Sequence, residues 1–309
     1  MTTLLYSHPI CIEHDPGRGH PECPDRLRAG MAGFEDEDFS GLERHEAPVI
    51  DLKEIEQVHE PYYMDQIFDN MPTEGRVNLD PDTSISPASG EASRRAAGAV
   101  CEAIDKVMKG DAKNAFCAVR PPGHHAESSK AMGFCLFNSI AIGAMHGRAA
   151  HGLERVATVD FDVHHGNGTQ HTFERDPGLF YASSHQWPAY PGTGLESETG
   201  EYGNICNLQL SPGEGSDAFR KGYRDKILPA LRAFRPDLLL ISAGFDGHER
   251  DPLAQISLRT DDYAWVTGEL LAVADECCGG KVVSLLEGGY NLVALTESVQ
   301  AHVRVLMAD

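Results

Sequence analysis

Residues 155–168 read RVATVDFDVHHGNG and join an apolar, β-branched run to a cluster of acids and histidines. A continuous apolar run of this kind is typical of a strand that is buried on both faces, as in a parallel sheet. Because side chains alternate along a strand, Asp160, Asp162 and His164 are predicted to point to one face. The stretch therefore predicts a parallel strand that delivers polar side chains at its carboxyl end.

Four further apolar runs end in polar or glycine-rich clusters in the same way: AFCAV (115–119), LFYASS (179–184), DLLLISAGF (237–245) and KVVSLL (281–286). Segments with helical periodicity lie between the runs, at residues 91–108, 138–150, 217–234, 261–277 and 292–306. This alternation predicts an α/β fold in which helices cover both faces of one sheet, with residues 1–309 as a single domain. The first ninety residues are less regular, and we expect only loops and short helices there.

The composition narrows the range of partners. The chain has 309 residues with 26 basic and 47 acidic side chains, which gives a formal charge of −21. Such a charge repels phosphate backbones, so we expect no nucleic-acid partner. No apolar run approaches the ~20 residues of a membrane-spanning helix, and the first residues lack the pattern of a secretory signal. Together with the scattered cysteines, this predicts a cytoplasmic protein with reduced thiols and no membrane partner.

Polar side chains at two strand ends indicate a metal site. Asp162 and His164 are two residues apart at one strand terminus, and Asp246 ends the next clear strand of the sequence. Two carboxylates and one imidazole leave a divalent metal with open positions for water and substrate. A single aspartate of this kind is more often a cap of a helix or loop. The combination of three polar strand ends favours the metal site.

Two other strand ends carry candidate catalytic groups. His124 and His125 follow the turn RPPG, and imidazole is the usual general acid or base near neutral pH, although an isolated pair would as readily be solvated. Asp160 offers a carboxylate that could orient one of the two rings. The segment EGGY (287–290) closes another strand, where glycines let the backbone approach a ligand and Tyr290 could donate its hydroxyl to a carbonyl oxygen. A core tyrosine would fit that segment equally well.

The remaining histidines offer no pattern of this kind, and we expect surface or hydrogen-bonded core positions for His8, His14, His45, His59, His146, His151 and His302. Fingerprints of serine hydrolases, P-loop proteins and dinucleotide-binding dehydrogenases do not occur in the sequence, which weakens those alternatives.

Five motifs occur in order along the chain: RPPGHHA (120–126), GFCLFN (133–138), DFDVHHGNGTQ (160–170), SAGFD (242–246) and EGGYN (287–291). Together they resemble the zinc-dependent histone deacetylase and acetylpolyamine amidohydrolase superfamily, specifically its class II-like branch. The resemblance begins near HPECPDR (20–26) and covers nearly the whole chain. It implies one arginase-like domain with a central parallel sheet of eight strands.

The resemblance also implies a role for each catalytic group. The zinc ligands would be Asp162, His164 and Asp246. His125 would act as general base and acid, beside His124 as an electrostatic partner that Asp160 holds in place. Tyr290 would polarise the acetyl carbonyl together with zinc, and Arg26 would lie near an inner acetate channel.

Two further sets of residues follow from the same match. A narrow acyl-lysine tunnel would have Phe134 as one wall and Tyr190 as the other, and the whole substrate-binding set would be Asp82, Gly133, Phe134, Tyr190, Leu253 and Gly288. A structural potassium ion would be held by oxygens of Asp160, Asp162, His164, Ser183 and Ser184. Asn167 departs from class I members, which carry aspartate there, and this departure fits class II.

The implied activity is removal of acetyl or other acyl groups from lysine side chains of proteins or peptides. Deacetylation of N-acetylated polyamines or other small amides is the alternative. Leu253 stands where polyamine-selective relatives place glutamate, which favours acyl-lysine, whereas Glu249 and the negative charge leave room for cationic amines. A catalytically inactive metal-binding fold that serves as an interaction module is disfavoured, because every catalytic group is present. A manganese ureohydrolase on the same fold is a further alternative, but it would need additional aspartates that bridge two metal ions. An oligomer is compatible with the sequence.

Overall fold

The computed structural model describes residues 2–308, and its centre is a sheet of eight parallel strands in the order β2-β1-β5-β10-β9-β6-β7-β8. The strands are β1 (Thr3–Ser7), β2 (Glu43–Glu46), β5 (Asn114–Cys117), β6 (Val156–Asp160), β7 (Leu179–Gln186), β8 (Ile205–Leu210), β9 (Leu238–Ala243) and β10 (Val282–Leu286). A separate antiparallel pair consists of β3 (Val77–Asn78) and β4 (Ser84–Ile85). The predicted α/β fold with an eight-stranded parallel sheet is confirmed.

Helices flank the sheet. They are α1 (Ile10–Glu13), α2 (Pro24–Gly33), α3 (Leu52–Ile55), α4 (Pro61–Asp69), α5 (Ser89–Lys109), α6 (Ser139–His151), α7 (Asn167–Phe173), α8 (Ser216–Gly222), α9 (Leu228–Phe234), α10 (Thr260–Cys278) and α11 (Leu292–Ala308), with a 3₁₀ turn at Glu37–Phe39 and a π-helical turn at Tyr223–Ile227. Within residues 2–308, none of these helices has the length and apolar character needed to cross a membrane. The eight cysteines all lie in this range and are free thiols.

The five predicted helical segments are confirmed, and the local reason is clearest at α6. The side chain of Asn138 accepts a hydrogen bond from the Ala141 backbone N–H and so caps the start of α6. Gly152 ends the helix in the left-handed conformation at φ 65°, which glycine adopts without steric cost. Asn138 follows directly after the GFCLF segment, so its cap fixes where that segment meets the helix.

The expectation that the first ninety residues only decorate the sheet was wrong. β1 is a five-residue strand between β2 and β5, and β2 forms one edge of the sheet. The sequence of β2 is ERHE and most of its residues are exposed, so it carries no apolar signal. An edge strand of this kind is specified by its backbone pairing and tolerates charged side chains. β8, at the opposite edge, was also not predicted.

The carboxyl ends of the central strands lie at one edge of the sheet and position the candidate site. Every residue of β5, β6, β9 and β10 is buried, as the continuous apolar runs predict. Asp160, the last residue of β6, pairs with Ser183 of β7 and Ser242 of β9. The polar segments that follow these strands therefore meet above the same edge.

Candidate active site

The three predicted zinc ligands lie together. One ligand atom from each of Asp162, His164 and Asp246 lies within 4.8 Å of the other two. The Nδ1 atom of His164 is 3.1 Å from Oδ1 of Asp162 and 3.0 Å from Oδ2 of Asp246. Both carboxylates are fully buried, whereas the His164 side chain is 13% exposed and faces the cavity described below.

β6 ends at Asp160, two residues before the first predicted ligand, Asp162. Hydrogen bonds from backbone N–H groups to aspartate side chains hold the segment that follows. The Asp162 N–H donates to Oδ1 of Asp160, and the His164 N–H donates to Oδ1 of Asp162. The predicted convergence of alternate side chains therefore holds, although the strand that was expected to run to Val163 stops at Asp160.

Two glycines leave space for the buried carboxylates. A Cβ atom on Gly244 would lie 2.0 Å from Oδ2 of Asp162, and one on Gly288 would lie 2.2 Å from Oδ2 of Asp246. Burial and the neighbouring Asp162 raise the pKa of Asp246 to about 7. A bound cation would remove this repulsion, so the charge, burial and geometry of the set fit a divalent metal ion.

The adjacent histidines have opposite electrostatic surroundings. The Nδ1–H of His124 donates to Oδ2 of Asp160 at 2.9 Å. Burial alone would lower the pKa of His124, but Asp160, Asp162 and Glu287 raise it well above its usual value. Burial lowers the pKa of His125, and the nearby His124 and His164 lower it further. His124 is therefore protonated on both ring nitrogens and positively charged, whereas His125 is neutral and able to accept a proton.

Asn167 determines which nitrogen of His125 is free. Its Nδ2 donates to Oε1 of Glu127 at 2.7 Å, which leaves its Oδ1 directed at Nδ1 of His125 at 2.8 Å. An amide oxygen only accepts, so Nδ1 of His125 carries the hydrogen and Nε2 has the free lone pair. Glu127 was not predicted, because its importance depends on a contact with a residue forty positions away.

A buried ionic network supports the turns that carry the catalytic groups. Oε2 of Glu287 accepts the N–H groups of Gly123 (2.7 Å) and His124 (3.3 Å). Arg26 donates to the carbonyls of Glu287 and Gly289, the latter at 2.6 Å from Nε. The Arg26 guanidinium also lies 4.9 Å from the centre of the Tyr290 ring. Arg26, which was expected beside an inner channel, is buried and holds the EGGY segment through these contacts.

Glu22 completes this network and was not predicted. Its carboxylate, which is fully buried, forms ion pairs with Arg26 at 2.9 Å and with Arg120. Burial alone would raise the pKa of Glu22, but Arg120, His14 and Arg26 hold it well below its usual range. His14 occupies one of the hydrogen-bonded core positions expected of it, with Nδ1 2.7 Å from Ser89 Oγ and Nε2 3.4 Å from Glu22.

A cavity of about 190 Å³ opens onto these groups and is lined by Asp82, His125, Gly133, Phe134, His164, Tyr190, Leu253 and Tyr290. The ring centres of His125 and Tyr190 lie 5.2 Å apart, and those of Phe134 and Tyr290 lie 5.9 Å apart. Burial raises the pKa of Tyr290 well above its usual value, so its hydroxyl remains a donor. The backbone N–H of Tyr290 donates to Asp251 at 2.6 Å, which fixes the end of the EGGY turn.

The Phe134 wall is built on unusual backbone geometry. Gly133 and Phe134 both have positive φ, at 56° and 69°. A Cβ atom on Gly133 would lie 2.4 Å from the His125 ring, so only glycine fits there. The Gly133 N–H donates to Oδ1 of Asp82 (3.2 Å) and the Phe134 N–H donates to Oγ1 of Thr83 (3.1 Å). Asp82 thus lines the cavity and also orients its wall.

The residues predicted for a potassium ion are buried at the ends of β6 and β7. Asp160 and Ser183 are cross-strand partners, and Ser184 follows in β7. Oδ2 of Asp160 accepts from the Tyr181 hydroxyl at 3.0 Å, and Ser184 Oγ lies 3.1 Å from the Tyr223 hydroxyl. Asp160 and Ser183 therefore lie side by side, and the side-chain polar atoms of Asp160, Ser183 and Ser184 are all oxygens.

His146 and His151, for which no cluster was expected, also lie together. Both rings contact Asp105 of α5. His59 and His302 do occupy the hydrogen-bonded core positions expected of them.

The carboxylates, imidazoles and tyrosine around this one cavity are groups that could activate a water molecule and stabilise an oxyanion, which is the chemistry of a hydrolase. Comparison with known proteins gives the family. The family model described as "Histone deacetylase domain" matches residues 20–306. The chain therefore belongs to the histone deacetylase family, which makes it a deacetylase and hence a hydrolase.

Individual relatives agree with this assignment. The chain is 36% identical over 326 residues to "Histone deacetylase 14, chloroplastic" of Arabidopsis thaliana, covering 99% of this chain and 77% of the relative. It is 37% identical over 288 residues to the "Histone deacetylase-like amidohydrolase" of Pseudomonas aeruginosa, covering 91% and 75%. The solved structure titled "Crystal Structure of HDA15 HD domain" superposes with a TM-score of 0.94 at 35% identity, covering 100% of this chain and 90% of that one.

Proposed function

We propose that this deacetylase is a zinc-dependent amidohydrolase that removes acetyl groups from lysine side chains of proteins or peptides. The observation that carries the proposal is the cavity that His125, His164 and Tyr290 line together. A metal-ligand set, a proton acceptor and a hydroxyl donor would then all lie within reach of one bound amide. The aromatic walls of the cavity suit the aliphatic chain of lysine.

Asp162, His164 and Asp246 would hold the zinc ion. The set offers one nitrogen and two carboxylates, and three protein ligands leave a coordination position of zinc open. Bound there, Zn²⁺ would supply the Lewis acidity that brings the pKa of a water molecule to roughly 7 and polarises a carbonyl.

His125 would move the protons. Its free Nε2 accepts the proton of the attacking water and then donates it to the leaving nitrogen as the C–N bond breaks. The products are acetate and a free primary amine. The protonated His124, held by Asp160, disfavours a positive charge on the neighbouring ring of His125. His125 therefore stays neutral until it accepts the proton of the water.

Tyr290 would donate a hydrogen bond to the carbonyl oxygen as negative charge develops there. Arg26 and Asp251 hold the turn that carries the ring, so the hydroxyl is positioned before substrate binds. Such fixed donors stabilise a transition state without the cost of reorganisation.

The cavity rim favours acyl-lysine over acetylated polyamines. Leu253 is 41% exposed at the rim and offers an apolar surface to the substrate. Asp82 is the one carboxylate that faces the cavity within residues 2–308, and it is available to accept a hydrogen bond from a substrate backbone N–H. The same carboxylate is the observation that favours the second candidate, a cationic acetylpolyamine.

We also propose a structural potassium ion beside the zinc site. Backbone oxygens of Asp160, Asp162 and His164, side chains of Asp160 and Ser183, and the Ser184 carbonyl would hold it. The all-oxygen character of this set and the buried Asp160 carboxylate support a hard monovalent cation.

The activity proposal is tested with purified enzyme that is assayed on acetyl-lysine peptides, acetylputrescine and acetylspermidine. We expect the highest kcat/KM on the peptides, loss of activity with a strong chelator and recovery on addition of Zn²⁺. The Asp246→Ala protein serves as the matched control, with strongly reduced zinc occupancy of this site and strongly reduced activity. Full zinc occupancy and activity in that variant would contradict the ligand assignment.

A further inference from the structure

A second cluster of metal-ligating side chains lies where α3, α5 and α6 meet. Asp105 of α5 is contacted by His146 and His151 of α6, and Glu54 of α3 lies beside His146. None of these residues lines the cavity described above. The active-site turns contact the start of α6 at Asn138, and the two histidines are 8 and 13 residues further along. At 1.5 Å per residue they lie roughly 12–20 Å from that end.

The geometry of this cluster resembles that of the catalytic ligand set. Nε2 of His146 lies 2.9 Å and Nε2 of His151 lies 2.6 Å from the same oxygen, Oδ1 of Asp105. One ligand atom from each of the three residues lies within 4.8 Å of the other two, as for Asp162, His164 and Asp246. Ligands of a tetrahedral zinc ion lie about 3.3 Å apart, so the two contacts to Asp105 would need to lengthen by well under 1 Å to admit an ion.

The hydrogen bonds of His146 are those of a ring placed between two anions. Its Nε2 faces Asp105 and its Nδ1 lies 3.3 Å from Oε2 of Glu54, so both ring nitrogens face carboxylate acceptors. A neutral imidazole has one N–H, and it can satisfy only one of these two acceptors. The other contact needs either a second proton on the ring or a metal ion between the groups.

We infer that Asp105, His146 and His151 form a second site for a divalent transition-metal ion of the zinc type, with Glu54 as a further carboxylate beside it. Two imidazoles and a carboxylate are the donors that Zn²⁺ prefers, and partial exposure of all four side chains leaves room for water ligands. The site would link α5 to α6 and thereby stabilise the pair of helices.

The local surroundings of the cluster suit a bound metal ion. The histidine side chains are only 14% and 17% exposed, and the two carboxylates are about one third exposed, so the cluster is half-buried. Its four side chains include two carboxylates and no lysine or arginine. A divalent ion satisfies both rings and the carboxylate at once.

The test is the stoichiometry and affinity of Zn²⁺ binding to metal-stripped full-length protein, measured by calorimetry and by metal analysis after gel filtration. We expect two equivalents for the wild type with Kd values below about 10 μM. The Asp246→Ala protein should retain the second equivalent, and the His151→Gln and His146→Gln proteins should lose it while keeping one. Zn²⁺ should also raise the Tm of Asp246→Ala protein, and this rise should vanish in the Asp246→Ala/His151→Gln protein.

The matched control is His45→Gln, which removes another histidine that contacts a carboxylate, Glu43 at 2.9 Å, without a second imidazole nearby. It should bind two equivalents. His151→Gln should keep deacetylase activity, which also verifies its fold. The inference is overturned if the wild type binds one equivalent, if the second binds more weakly than about 100 μM, or if His146→Gln and His151→Gln still bind two. A wrong assignment of the catalytic zinc ligands would give a different result, because the Asp246→Ala protein would then bind two equivalents of zinc.

Discussion

The Oδ1 atom of Asn167 lies 2.8 Å from Nδ1 of His125, and this contact determines where the catalytic histidine can accept a proton. Glu127 fixes the amide orientation through Nδ2 of Asn167. The Asn167 side chain is neutral, so it orients the ring without adding a charge that would favour the imidazolium form. The electrostatics of His125 are therefore set by burial and by His124 and His164.

Asn167→Asp should change the pH dependence of the enzyme. The new carboxylate would stabilise the protonated form of His125 and raise its pKa. Because the neutral form is the base, the acid limb of the kcat/KM profile should move to higher pH. The measurement is a pH–rate profile on an acetyl-lysine peptide. As a control, Glu127→Gln keeps an acceptor for Asn167 and should leave the acid limb of the profile nearly in place. An acid limb that moves to lower pH in Asn167→Asp would contradict this account.

The groups that the sequence predicted lie at the ends of central strands. Asp162, His164 and Asp246 each follow a continuous apolar run, and parallel strands bring their carboxyl ends to one edge whatever the intervening chain does. Spacing along the sequence is then a fair guide to spacing in the structure. The same reasoning placed His125 and Tyr290 at this edge.

The groups that the sequence did not predict depend on contacts that periodicity does not encode. Glu22 meets Arg120 across 98 positions, and nothing local distinguishes it from a surface glutamate. His146 and His151 are five residues apart, which differs from the three- or four-residue spacing that places side chains on one helix face. Their convergence depends on Asp105 from a neighbouring helix.

Glu22→Gln should destabilise the fold by about 3–5 kcal/mol, because it leaves two buried arginines without their anion. Since the pKa of Glu22 is depressed, its stabilising contribution is present above its ordinary pKa of 4.5 and is lost as pH falls through the folded value. The difference between wild type and variant should thus be full near pH 7 and shrink in acid. Urea unfolding at several pH values measures it.

The matched control for that experiment is Glu35→Gln. Glu35 pairs with Arg44 at 2.9 Å on the surface, where both side chains are largely exposed. Exposed pairs contribute at most about 1 kcal/mol, so this variant should unfold close to the wild type. An equal loss in both variants would mean that burial of the Glu22 network is not what makes it important.

Leu253→Glu should narrow or reverse the preference for acetyl-lysine peptides over acetylspermidine. The new charge would attract the second cation of the polyamine at a partly solvated rim, an effect on the order of 1 kcal/mol or several-fold in the ratio of kcat/KM values. Leu253→Gln, similar in size and neutral, should shift the ratio much less. A wild type that prefers acetylspermidine by a wide margin would reject acyl-lysine as the substrate and leave the deacetylase assignment intact.

Tyr290→Phe should keep the fold and the zinc but lose most of the activity. The ring would still pack beside Phe134 and Arg26, and only the hydroxyl donor would disappear. Removal of one such donor typically lowers kcat by about 10²–10³. The KM should change less than kcat, because the hydrogen bond strengthens mainly in the transition state. The measurement is kcat on acetyl-lysine and trifluoroacetyl-lysine peptides.

The trifluoroacetyl substrate separates a lost donor from a damaged site. Its carbonyl is already activated, so Tyr290→Phe should retain a larger fraction of wild-type activity on it than on the acetyl substrate. Tyr190→Phe is the matched control, since it removes a hydroxyl from the opposite wall while its ring still packs near His125. That variant should keep kcat within a few-fold of the wild type. An unchanged kcat in Tyr290→Phe on the acetyl substrate would mean that Tyr290 only fills space beside the cavity.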